Sequence, residues 1–134
     1  MNTKHVPDLE LCQEFDRLCK EKGIVVPETE FYWAQWDSFT PKTEPYVLVT
    51  KEYYDNEEFL LDAFPAPLVS EQGEWLKFHS HKSIYGSKTG VAKNVWRWHF
   101  FADFDVPDLM ADTEANARMM GLNHLITEGI ITKL

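Results

Sequence analysis

The chain has 134 residues, 44% of them apolar, and a formal net charge of −9. That is the size of one domain spanning 1–134, with apolar surface enough for a core that needs neither a metal nor a disulfide staple. No run of about 18 apolar residues occurs, which speaks against a membrane-spanning helix; the opening stretch 1–12 carries no continuous apolar segment, so no secretion signal is expected and the cytoplasm is the expected compartment.

The first element in "DLELCQEFDRLCKEKG" is a helix. Asp8 can cap its start, Glu10 sits in the first turn, and Leu11, Cys12, Phe15, Leu18 and Cys19 form one apolar stripe. Lys20 and Lys22 fall in the last turn, where cations suit the helix dipole, and Gly23 suits a left-handed cap. Cys12 and Cys19 lie seven apart on this helix, so their Cα atoms are roughly 10 Å apart. A disulfide needs less than about 7 Å, and both are expected to be reduced thiols on the buried stripe.

"TEFYWAQW" and "YVLVTK" follow as two strands of a hairpin, with Phe31 and Trp33 on one face and Tyr32 and Trp36 on the other. "DNEEFLLDAFP" predicts a short second helix, with Asp55 and Glu58 at capping-box spacing and Pro65 and Pro67 stopping it. "APLVSEQG" reads as irregular. A second hairpin is expected from "EWLKFHSH" and "NVWRWHFFADF", joined by "KSIYGSKTGVAK". Leu76, Phe78, Trp96, Trp98 and Phe100 would then form the buried faces. Lys77, His79, His81, Arg97 and His99 would lie opposite them. The closing "DTEANARMMGLNHLITEG" predicts a helix capped by Asp112 and ended by Gly129, with Ala115, Met119, Leu122, Leu125 and Ile126 as its stripe. Gly121 inside it costs about 1 kcal/mol relative to Ala and suggests a close backbone approach to the sheet.

The expected fold is thus α+β, one antiparallel sheet of about four strands (two hairpins) with three helices in the order α-ββ-α-ββ-α. The helices would cover one sheet face and leave the other partly open.

Two histidines at i and i+2 on a strand project to one side, with Cα atoms about 6.6 Å apart, and two imidazoles at that spacing can converge on zinc. A hairpin centred on Lys88 would bring His99 diagonal to His79. The same register sets Lys77 and Arg97 among the histidines, and Asp103 and Asp105 come only after the strand. Fixed positive charge beside a divalent cation opposes its binding, so solvated side chains on a wet sheet face are favoured over a metal site, and no cofactor is expected. The rival is a metal-assisted hydrolase using His79, His81 and His99 with Asp103.

Charge is the more informative signal. Residues 75–102 contain Lys77, Lys82, Lys88, Lys93 and Arg97, three of the five histidines, and no Asp or Glu. The stretch is at +5 while the other residues, with 22 acids and eight bases, sum to −14. Such an arm suits an anionic partner: an acidic protein surface, a nucleic-acid backbone or a phosphate ligand, with Trp75 and Phe101 available for stacking. The plainer alternative is that it pairs with the protein's own acidic remainder, in the same or a neighbouring copy. The overall charge disfavours nonspecific nucleic-acid binding.

"GSKTG" (86–90) lacks the glycine spacing of a phosphate loop and reads as a hairpin tip. Asp103, Asp105 and Asp108 lack the glycine and glutamate of a calcium loop and read as a polar turn.

The aromatic strand "EFYW", the second hairpin and the closing "EANARMMGLNHLITEGII" resemble small uncharacterised proteins encoded in bacteriophages, prophages and other mobile elements of bacteria. Those chains end in an Ala-rich helix with a paired-aliphatic, Glu-Gly/Asn-x-Ile close. The resemblance covers most of the chain and implies a bacterial, cytoplasmic accessory protein; it brings no activity, cofactor or catalytic residue. The favoured function is a non-enzymatic binding or interaction module. Its candidate contact residues are Lys77, His79, His81, Arg97, His99 and Trp75, and its expected partner is another protein or a second copy. Exposed rings of the "TEFYW" strand are the expected dimer anchors.

Overall fold

The computed structural model describes residues 5–36, 46–56, 60–79, 84–88, 96–100 and 109–134, with side chains for 5–35, 46–56, 62–76 and 111–134. In chain order the elements are α1 (Leu9–Lys22), β1 (Phe31–Trp36), β2 (Val47–Thr50), α2 (Lys51–Asn56), β3 (Leu60–Pro65), α3 (Val69–His79), β4 (Ile84–Lys88), β5 (Trp96–Phe100), β6 (Leu109–Ala111) and α4 (Glu114–Thr127). Among the described residues these make two three-stranded sheets, β2-β1-β3 and β4-β5-β6, with antiparallel neighbours throughout. The fold is α+β, but the single four-strand sheet with three helices is not formed.

The first hairpin is as expected, with Trp33 opposite Leu48 on β2. "LLDAFP" is not the body of a helix. The helix α2 ends at Asn56, and β3 pairs with the other edge of β1, with Phe64 opposite Trp33. A short apolar run fits a helix stripe or a strand equally well, and here the unpaired edge of β1 decides. Pro65 is tolerated because β3 is itself an edge strand, and the Ala66 N–H carries the ladder one step further to the Phe31 carbonyl at 3.0 Å.

The structure also departs from expectation at 69–79. The Leu76/Phe78 alternation suggests a strand, yet this stretch is helix α3. Gln72, Trp75 and Leu76 are buried at i, i+3 and i+4, a helical spacing that extends back into the stretch read as irregular. Glu71 supports its start: Oε1 accepts from the Leu68 N–H at 2.7 Å, the reach-back half of a capping box. The partner of β5 is consequently β4, drawn from the expected connection and including part of the supposed "GSKTG" tip, while β6 adds a third strand.

Helices α1 and α4 run side by side in the same direction: Asp8 meets Asn116 at one end, and Lys22 Nζ donates to the Thr127 carbonyl at 3.1 Å at the other. α1 abuts the first sheet through β3, whereas α4 touches α1, α3 and the second sheet. That position explains why α4 is buried well beyond one stripe. Ala115, Met119, Leu122, Leu125 and Ile126 are all enclosed, and so are Ala117, Gly121 and two asparagines. The main core joins Phe15, Leu18 and Cys19 of α1, Trp75 and Leu76 of α3, and the apolar side chains of α4. A smaller cluster ties Val6, Cys12 and Ala66 to Phe31, Trp33, Leu48 and Phe64 on the first sheet.

Both long helices end on a left-handed glycine. Gly23 (φ 68°) and Gly129 (φ 73°) let the next residues turn back, with Ile24 N–H donating to the Cys19 carbonyl at 2.8 Å and Ile130 N–H to the Leu125 carbonyl at 2.9 Å. The starts differ from expectation. Asp8 occupies the N-cap of α1 without capping it through its side chain, and Thr113, not Asp112, caps α4 by accepting from the Asn116 N–H.

Candidate functional site

The residues singled out by charge and histidine content do not share one hairpin. Trp75 is only 7% exposed and stacks on Phe15, with ring centroids 5.7 Å apart and planes 9° apart. It is a core side chain and is unavailable for stacking with a ligand. Lys77 and His79 belong to the last turn of α3. His81 and Asp103 lie outside the described residues. Arg97 and His99 stand on β5, opposite Ser87 and Tyr85 of β4, rather than opposite His79 and Lys77. His79 ends a helix and is not part of the strand expected for it. Among the described residues no group of three or more His, Cys, Asp or Glu is arranged to hold a metal ion.

The rings of the "TEFYW" strand are engaged within the chain. Phe31 and Trp33 pack in the smaller cluster, and Trp33 Nε1 donates to the Pro7 carbonyl at 3.0 Å. Tyr32 stacks on Tyr54 of α2, with centroids 4.2 Å apart.

The densest polar arrangement among the described residues lies where α1 and α4 begin. Asp8 N–H donates to Asn116 Oδ1 at 2.8 Å, and Asn116 Nδ2 donates to Asp8 Oδ2 and to Asp112 Oδ1, each at 3.0 Å. Parallel helices bring two positive dipole ends together, and the Asp8 and Asp112 carboxylates offset them. The chemistry of this cluster is adhesive. Asn116 is 3% exposed, and all of its side-chain polar atoms are engaged. Both carboxylates accept from the one amide and hold the two helix starts together.

The thiols are suppressed as well. Burial, reinforced by Asp8, pushes the Cys12 thiol far above its usual range, and burial with Asp16 beside it pushes Cys19 up to about 12. Cys12 Sγ also lies 3.6 Å from the Pro7 carbonyl, as a donor. Neither is activated as a nucleophile; both are free and buried, as the helix stripe implies.

The titration of Glu71 is raised. Burial raises it, while hydrogen bonds from the Leu68 and Glu30 N–H groups pull the other way. It fastens the segment before β1 to the start of α3, a positioning task. Gln72 behaves similarly: its Nε2 donates to the Ala115 carbonyl at 3.0 Å and ties α3 to α4. Neither Asn116 nor Gln72 stands out as a sequence motif. The usable signal is an amide on an otherwise apolar helix face, which demands a partner when buried.

No protein-family model, curated protein or solved structure matches the chain. Among the described residues, no helix is long and apolar enough to cross a membrane.

Proposed function

We propose that the chain is a non-catalytic interaction module, a cytoplasmic accessory protein of a bacterial phage or mobile element. Its basic stretch 75–102 meets an acidic surface on a protein partner. The observation that carries this is the segregation of charge: five cations and no carboxylate in 28 consecutive residues of a chain at −9. Clustered cations with no carboxylate between them raise the rate and selectivity of encounter with an anionic surface. The β5 register adds support, because it sets Arg97 and His99 opposite Ser87 and Tyr85, with no acidic residue at any β4 or β5 position. Lys77 and His79 at the end of α3 and His81 beyond it extend the candidate contact set; Trp75 is removed from it by its burial. The sequence resemblance of the first strand and the closing helix supports the phage or mobile-element origin, and the two free thiols fit a reducing compartment.

The test is affinity capture from bacterial extract with the full chain and with a Lys88→Glu/Lys93→Glu/Arg97→Glu variant shown by circular dichroism to be folded. Capture of acidic proteins by the native chain alone is expected; identical captured sets would overturn the proposal. Stoichiometric zinc in the purified protein, lost in His79→Ala, would replace it with the hydrolase reading. Tight, salt-sensitive binding of DNA or RNA would replace it with a nucleic-acid reading.

A further inference from the structure

We draw no further inference here: the strongest candidate, the Asp8–Asn116–Asp112 cluster where the N-termini of α1 and α4 meet, is an acidic cluster whose amide is fully engaged within the chain, and nothing in the structure points to a ligand for it.

Discussion

Asp8 and Asn116 exchange two hydrogen bonds across 108 residues of sequence, backbone N–H to Oδ1 at 2.8 Å and Nδ2 back to the carboxylate at 3.0 Å. The exchange fixes the starts of α1 and α4 side by side, and Asp112 adds a third bond to the same amide. Asn116→Ala removes all three and leaves the Asp8 N–H without its partner. A loss of about 2 kcal/mol is expected, or a fall in Tm of roughly 6–10 °C, measured by thermal denaturation. Asn116→Asp sets a third carboxylate between two others, so its deficit against the native chain is expected to shrink as pH falls and the cluster takes up protons. A deficit that does not change with pH would contradict the geometry.

The buried thiols make a second, alkaline expectation. In the unfolded chain a thiol like Cys19 ionises near 9.0, whereas the folded state holds Cys19 up to about 12. The folded state therefore retains its proton where the unfolded state loses it. The contribution is complete below pH 9 and is lost as pH rises from there toward 12. Native protein is expected to lose stability over that window more steeply than Cys19→Ala, in denaturant titrations at successive pH values. A disulfide-exchange reagent at pH 8 is expected to label both cysteines only as fast as the protein opens.

Glu71 supplies the opposite edge of the pH range. Its folded pKa is raised chiefly by burial, so the folded state binds a proton more readily than the unfolded chain. The cost of holding the charge is present at neutral pH and is relieved as pH falls through the raised value toward 4.5. The difference in stability between native protein and Glu71→Gln is expected to move in favour of the native chain on acidification. Parallel stability curves would show that the carboxylate is better solvated than its place between Leu68 and Glu30 implies.

Gly73 lies inside α3, where a Cβ would stand 2.7 Å from Arg118 Nη1. Arg118 is anchored on α4 by Nε and Nη2, both donating to Glu114 Oε1 at 3.1 and 3.0 Å. Alanine brings about 1 kcal/mol of helix propensity but displaces the guanidinium tip. Gly73→Ala alone is expected to change stability by less than about 1 kcal/mol, and in an Arg118→Ala background to stabilise by about 1 kcal/mol. Equal effects in both backgrounds would mean that the helices do not approach as closely as described.

Where the sequence was legible, short-range physics decided the outcome. α1 has a stripe of Cys12, Phe15, Leu18 and Cys19 and a terminal Gly23, and it folds as those residues direct. The β1–β2 hairpin likewise follows from local alternation. What stayed hidden depended on partners distant in sequence. "LLDAFP" is a strand because β1 has a free edge, which its own six residues do not reveal. In α3 the Leu76/Phe78 alternation masked the helical set Gln72, Trp75 and Leu76, and Gly73 obscured it further. The helix also reaches His79, so the strand on which the expected histidine pairing rested is not formed there. The cluster around Asn116 was equally illegible, since an amide in an Ala-rich helix acquires its meaning only when another helix start is beside it.

The central functional claim is electrostatic, and calorimetric titration of the captured partner at about 50 and 300 mM salt tests it most directly. Binding that weakens at least several-fold at the higher salt, and that is lost in the Lys88→Glu/Lys93→Glu/Arg97→Glu variant at both, is the expected outcome. Affinity unchanged by salt and retained by the folded variant would contradict a contact through the basic stretch.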